Sequence, residues 1–209
     1  MFRSKRKSGS RDDSGAAADR QTARDARQRP ARRITPQYLE NSALHYLQRF
    51  SSSAEGVRQV LRRKLRHGDL DEDQTAEAER WIDAVVEKLT GLGLISDSGF
   101  AAARAASLHR RGTAVRGIRA RLAAKGVDAD TIAEAVDDLA DRSGAETTRD
   151  LDLAAAVALA RRRRLGPYRT QRRQEMRERD IAALCRGGFG LDLARQVVDA
   201  EDAEALLEG

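Results

Sequence analysis

Apolar residues recur at intervals of three and four along most of the chain, the period of an α-helix with one buried face. The first such run begins after Thr35 and Pro36, an N-cap residue followed by a proline in the first helical turn. Its apolar positions are Tyr38, Leu39, Ala43, Tyr46, Leu47 and Phe50. No segment alternates convincingly between apolar and polar residues, so the pattern predicts helices and essentially no strand.

Two further helices complete a first group. Ser52 and Glu55 have the spacing of a capping box, which predicts that the second helix begins there. A third helix follows an acidic loop and ends at Gly91 and Gly93. The apolar faces of these two helices comprise Val57, Val60, Leu61, Leu65, Trp81, Ile82, Val85, Val86 and Leu89. This pattern predicts a three-helix repeat over residues 34–95.

The same arrangement is clearest in the next segment. Residues 96–98 are predicted to cap its first helix, Gly112 and Thr113 to end that helix and cap the second, and Asp128 to cap the third. The inward positions of the second and third helices are Val115, Ile118, Leu122, Ile132, Val136 and Leu139. A second repeat is therefore predicted over residues 96–142.

A third repeat is predicted over residues 143–209. It begins near Thr147 and is interrupted at Gly166 and Pro167. Its apolar positions include Leu151, Val157, Leu159, Met176, Ile181, Leu184, Leu193, Val197 and Val198. Since each unit leaves apolar residues at its ends, neighbouring units must cover one another. The predicted fold is therefore all-α, an elongated array of three tandem three-helix repeats with nine helices.

Charge repeats with the same period. Three stretches rich in Arg and Lys lead to glycines at positions 68, 126 and 188, which are 58 and 62 residues apart. The second and third stretches contain no acidic residue between Asp97 and Asp128 or between Asp152 and Glu175. A period near 60 residues indicates that one supersecondary unit has been repeated.

The overall charge of +6 conceals an uneven distribution. Residues 1–33 contain 11 basic and 4 acidic residues, whereas the remainder contains 28 basic and 29 acidic residues. The first segment has almost no large apolar residue and is predicted to be a disordered basic tail. It is either a solvated tail or a weak electrostatic contact with a polyanion such as nucleic acid.

The sequence offers little for catalysis or for binding a metal or cofactor. Cys185 is the only cysteine, and the three histidines are isolated from one another and from it. There is no phosphate-binding glycine loop, no secretory signal and no apolar run long enough to span a membrane. We therefore expect a protein that is not an enzyme, has no cofactor or metal, and resides in the cytoplasm.

The basic stretches carry the candidate functional residues. Exposed helices usually mix charges of both signs, because opposite charges four residues apart stabilise a helix. Stretches without acids are either solvated helix faces or surfaces for a negatively charged partner. On the second interpretation, charge and helical phase select as contacts Arg62, Arg63, Arg110, Arg111, Arg116, Arg119, Arg121, Lys125, Arg172 and Arg173.

Several motifs resemble a known family. The segment 93–101 (GLISDSGFA), Arg111 with Gly112, the segment 118–122 and the segment 125–127 follow one another as in the core motif of the RecX family of recombinase regulators. Ser96 and Ser98 stand where acids are common in that motif, and the basic tail is not part of the family core.

This resemblance implies an all-helical protein that binds RecA filaments on single-stranded DNA. Family members lie in the helical groove of the filament and inhibit strand exchange and ATP hydrolysis, which modulates recombination, DNA repair and the SOS response. We expect a monomer whose partner is the RecA filament, with single-stranded DNA as a further contact and no membrane. Two rival hypotheses are a general DNA-binding or architectural protein and a helical adaptor for an acidic protein.

Overall fold

The computed structural model describes residues 34–66 and 70–207, and in these ranges the chain forms nine α-helices, two short 3-10 turns and no strand. The helices are α1 (Pro36–Leu47), α2 (Ala54–Leu65), α3 (Glu72–Gly91), α4 (Asp97–Arg110), α5 (Val115–Ala123), α6 (Ala129–Ser143), α7 (Thr148–Arg163), α8 (Arg173–Arg186) and α9 (Leu191–Asp199). The 3-10 turns are Gly166–Tyr168 and Ala205–Leu207. The predicted all-helical fold is confirmed. The predicted basic tail, His67 and Gly68 lie outside the described residues.

Most helices begin where a local side chain caps them. Thr35 accepts a hydrogen bond from the Tyr38 amide at 3.1 Å, and Asp128 accepts one from the Thr131 amide at 2.8 Å. Thr147 forms a reciprocal capping box with Asp150. Such side chains satisfy amides that have no partner within the helix. These three helix starts therefore lie where the sequence predicted them.

Two predicted caps are wrong. The N-cap of α2 is Ser53, whose hydroxyl accepts from the Gly56 amide, rather than Ser52 paired with Glu55. The N-cap of α5 is Ala114, which has no capping side chain, rather than Thr113. The first amide of α5 is instead capped by a carboxylate from the following unit.

The helices pack as three units, each around its own core. The first unit comprises α1–α3, and its core centres on Leu39, Leu61 and Ile82. The second comprises α4–α6, and the third comprises α7–α9. The last two cores exchange residues, because Leu151 of α7 lies in the second core and Ala114, just before α5, lies in the third.

The same contact joins each unit to the next. The first amide of α2, at Ala54, donates to Asp97 Oδ1 at 2.7 Å, and the first amide of α5, at Val115, donates to Asp152 Oδ1 at 2.7 Å. Each acceptor belongs to the first helix of the following unit. The N-terminus of a middle helix is thus capped from the next unit, where the carboxylate also complements the helix dipole.

The middle helices α2, α5 and α8 also meet end to end. Ser53 Oγ, at the start of α2, donates to the Lys125 carbonyl, just after α5, at 2.6 Å. A Cβ atom at Gly126 would lie 2.4 Å from the Cβ of Glu55, and one at Gly188 would lie 3.5 Å from the Cβ of Ala114. Gly126 and Gly188, two of the glycines that mark the sequence period, therefore lie where one middle helix abuts the middle helix of the preceding unit.

Candidate anion-binding site

Two of the predicted contact residues hold the fold together. Arg62 Nε lies 2.9 Å from Glu79 Oε2, and its Nη1 lies 3.1 Å from Glu55 Oε1. The hydrogen bond to Glu79 raises the pKa of Arg62, with smaller contributions from neighbouring carboxylates. Arg173 donates to the backbone carbonyls of Val198 and Ala200 and so ties α8 to the end of α9. Part of the donor capacity of each guanidinium is therefore already used within the fold.

The other predicted contacts are exposed. Arg172 forms only a loose surface pair with Glu175, at 3.8 Å. Five residues have exposed side chains that make no hydrogen bond or ion pair within the ranges 34–66 and 70–207, namely Arg63, Arg110, Arg116, Arg119 and Lys125. These side chains are available to a partner.

Arg111 and Arg121 do come together, at a cleft between the second and third units. The cleft has a volume of about 490 Å³ and is lined by six arginines and no acidic residue. Its charged lining comprises Arg104, Arg111, Arg121, Arg162, Arg163 and Arg186. The rest of the wall consists of Leu108, Gly112, Thr113, Leu159 and Gly187.

Helix ends bring these arginines together. Arg162 and Arg163 lie in the last turn of α7, and Arg186 is the last residue of α8. Arg104 and Arg111 are seven residues apart along α4 and its C-cap, so they share one helix face. Gly112 permits the approach, since a Cβ atom there would lie 2.6 Å from the Leu159 amide nitrogen of α7.

Helix α5 presents its cations on two sides. Arg121 faces the cleft, where its Nη1 lies 3.4 Å from Thr113 Oγ1. At about 100° per residue, Arg116 and Arg119 point roughly 140° and 160° away from Arg121. The cleft and the outer face of α5 are therefore separate basic surfaces.

The charge of the cleft is not balanced locally. The C-terminal ends of α4, α7 and α8 converge there, and each carries about −0.5 of a charge, or about −1.5 in all. That partial charge stabilises arginines at helix ends but falls well short of six guanidinium charges. The cleft is therefore strongly positive.

Several arginines elsewhere in the described chain are paired with acids. Arg58 contacts Asp83 at 2.9 Å, Arg161 contacts Glu204 at 3.1 Å, and Arg177 contacts Asp199 at 2.6 Å. No such ion pair involves the six cleft arginines in the part of the chain that the structure describes. The cleft thus brings six arginines without an acidic partner together at the junction of the second and third units.

Charge and helical phase in the sequence did not select four of the cleft arginines as contact residues, namely Arg104, Arg162, Arg163 and Arg186. Three of them do lie in the acid-free stretches, and that exclusion of acids was the usable signal. Arg186 follows Asp180 by only six residues and had no such signal.

The histidines, the cysteine and the acids of the described residues do not form a metal site. Within the described ranges, no three His, Cys, Asp or Glu residues are placed to hold a metal ion. His109 is buried and donates from Nε2 to the Leu151 carbonyl at 2.8 Å, and Cys185 packs against the third core. Among the helices of residues 34–66 and 70–207, none is long and apolar enough to cross a membrane.

The fold resembles two solved structures. The crystal structure of RecX from Lactobacillus salivarius superposes with a TM-score of 0.53 at 21% identity, covering 83% of this chain and 96% of that one. A second crystal structure of a regulatory protein RecX gives a TM-score of 0.55 at 20% identity, covering 92% of this chain and 80% of that one. At these identities the likeness concerns the fold alone.

Relatives that are similar in sequence show the family as well as the fold. Residues 96–136 match the family model for the RecX second three-helix domain. Regulatory protein RecX of Myxococcus xanthus is 39% identical over 82% of this chain and 90% of its own length. Regulatory protein RecX of Agrobacterium fabrum is 30% identical over 81% of this chain and 88% of its own length. This extent of similarity, across nearly the whole of both relatives, shows that the chain belongs to the RecX family of regulatory proteins.

Proposed function

We propose that the protein binds RecA filaments on single-stranded DNA and inhibits strand exchange and the coupled ATP hydrolysis, thereby modulating recombination and DNA repair. Membership of the RecX family supports a regulatory role, and the family resemblance supplies RecA as the partner. The protein acts in the cytoplasm, as a monomer and without a catalytic centre of its own.

One observation supports this proposal beyond family membership, which is the set of unpaired cations in the second and third units. A filament on DNA presents both acidic protein surface and phosphates, so a partner with cations on two separate faces can engage both. The units also follow one another through repeated end-to-end contacts of α2, α5 and α8. Such an array suits a groove that runs past several RecA subunits.

Hydrolysis of ATP by RecA on single-stranded DNA tests the proposal. Substoichiometric amounts of the protein should lower the hydrolysis rate and strand exchange, because one bound molecule affects several neighbouring subunits. Reversal of charge on the outer face of α5, by Arg116→Glu with Arg119→Glu, should weaken this inhibition by about tenfold or more, since close like charges repel.

The matched control is Arg66→Glu with Arg80→Glu, which makes the same change in net charge at exposed positions of the first unit. Its inhibition should stay within about twofold of the unaltered protein. If the unaltered protein leaves hydrolysis and strand exchange unchanged yet binds naked DNA with a steep salt dependence, the regulator is excluded and a general DNA-binding protein takes its place.

A further inference from the structure

We propose that the six-arginine cleft is a binding site for a chain of phosphates, as found in a nucleic-acid backbone or a free polyphosphate. The proposal deepens the function above and rests on it for the biological setting. The site itself is a property of this protein alone, so it is tested without RecA.

The first support is that the arginines of the cleft are kept apart from acids. Six guanidiniums share a space of about 490 Å³ with no carboxylate in the wall. Like charges so close together repel one another, which costs stability that a bound anion would restore. Arg161 borders Arg162 in sequence but is paired with Glu204, so pairing is available nearby and is absent from the cleft.

The second support is the nature of the donors. The Gly112 and Thr113 amides already donate to the His109 and Leu108 carbonyls, at 2.7 and 3.1 Å. The Gly187 amide likewise donates to the Ala183 carbonyl. A ligand would therefore be held by guanidinium groups, whose planar array of donors matches the oxygens of phosphate in pairs.

The size and charge of the cleft favour several linked phosphates over one. After allowance for the three helix ends, about four phosphodiester charges would neutralise the six arginines. The cleft has no aromatic side chain in its wall, so it offers no platform for stacking bases. It should therefore bind the backbone without regard to the bases attached to it.

Binding of the backbone irrespective of the bases can be tested with the full-length protein and no RecA. A fluorescent 15-residue abasic deoxyribose-phosphate oligomer and oligo(dT) of the same length should bind with affinities within about twofold of each other. The logarithm of the binding constant should fall with the logarithm of salt concentration with a slope of about −3, as expected for about four phosphates of a single strand.

Two matched variants locate the site. Arg162→Glu with Arg163→Glu should weaken binding of the abasic oligomer by about tenfold or more and flatten the salt slope. Arg66→Glu with Arg80→Glu, which makes the same net charge change in the first unit and outside the cleft lining, should bind within about twofold of the unaltered protein. Arg162→Gln with Arg163→Gln, checked by circular dichroism and thermal melting, gives a second reading if the reversed variant does not fold.

Competition distinguishes the sources of phosphate. Displacement of the oligomer by tripolyphosphate, lost in the cleft variants, would assign the site to phosphate chains in general. Failure of tripolyphosphate to compete would confine the site to the nucleic-acid backbone. The proposal is overturned if the folded cleft variants bind as the unaltered protein does, if oligo(dT) binds far more tightly than the abasic oligomer, or if poly(glutamate) binds the cleft as tightly as either. The last outcome would identify an acidic peptide as the ligand.

Discussion

The buried carboxylate of Asp180 stabilises the third unit. Only 2% of it is exposed, yet its carboxylate accepts from the Gly166 amide at 2.9 Å and from two nitrogens of Arg169, at 2.9 and 2.7 Å. Burial raises the pKa of Asp180, but the bonds from Arg169 and Gly166 together outweigh burial and hold the pKa below its usual range. The charged form of this buried acid is therefore the one that stabilises the fold.

Replacement of Asp180 by asparagine should lower the free energy of unfolding by about 1.5–3 kcal/mol near neutral pH, because charged hydrogen bonds to a buried group are lost. The control Asp199→Asn removes the exposed pair with Arg177 and should cost less than about 1 kcal/mol. Urea denaturation measures both.

The pH dependence follows from the direction of the Asp180 shift. Since its pKa is lower in the folded than in the unfolded chain, its contribution is present above the unfolded value, about 3.9, and is lost as pH falls through the folded value. The stability difference between the unaltered protein and Asp180→Asn should therefore shrink below about pH 4. An equal difference at pH 7 and in strong acid would show that the charge of Asp180 is not what stabilises the unit.

At the scale of the helix, the sequence predicts elements better than their junctions. The helix starts at Thr35, Asp128 and Thr147 follow from local capping residues, which lie within three residues of the amides they cap. The start of α5 does not, because its cap is Asp152, 37 residues further along the chain. A cap supplied by another unit depends on how units pack, and no local pattern reports that packing.

Gly112 provides a test of the junction between α4 and α7. It has φ +74°, and a Cβ atom there would lie 2.6 Å from the Leu159 amide nitrogen and 2.7 Å from the Ala155 carbonyl oxygen. Gly144 has a similar φ of +69° but faces open space. Gly144→Ala should therefore cost only the backbone strain, about 1–2 kcal/mol.

Gly112→Ala should cost that strain plus about 1–3 kcal/mol for forcing the α7 backbone away. It should also disturb the arginine cleft and weaken binding of the abasic oligomer, whereas Gly144→Ala should leave that binding intact. Denaturant melts and fluorescence titrations give the two readings. Equal stability losses in the two variants would mean that α7 yields easily and that contact with Gly112 does not define the junction.

For the whole molecule, the sequence predicts a basic surface but not its position. The acid-free stretches indicate an anionic partner and contain five of the six cleft arginines. Their convergence depends on the ends of α4, α7 and α8 meeting, which is a consequence of packing between units. This is also why Arg62 and Arg173, equally basic in sequence, turn out to be bonded within the fold.

The two junctions of the array differ in kind. Between the second and third units, apolar residues are exchanged, since Leu151 enters the second core and Ala114 the third. Between the first and second units, the specific contacts are the polar bonds of Ala54 and Ser53. Buried apolar contacts couple the stabilities of neighbouring units more strongly than a few partly exposed hydrogen bonds. The second and third units should therefore behave as one body that holds the arginine cleft rigid, with the first unit opening separately.

Native-state hydrogen exchange can test this difference in coupling with two equally buried residues. Ile82 and Leu151 are 0% and 1% exposed, and truncation of either to alanine should cost about 2–5 kcal/mol. Ile82→Ala should speed exchange in α1–α3 while leaving α7–α9 unchanged, because its core is confined to the first unit. Leu151→Ala should speed exchange in both α4–α6 and α7, because that side chain belongs to α7 yet completes the core of the second unit. If Ile82→Ala loosened all nine helices alike, the array would unfold as a single cooperative unit, and the first unit could not move independently while the cleft holds its ligand.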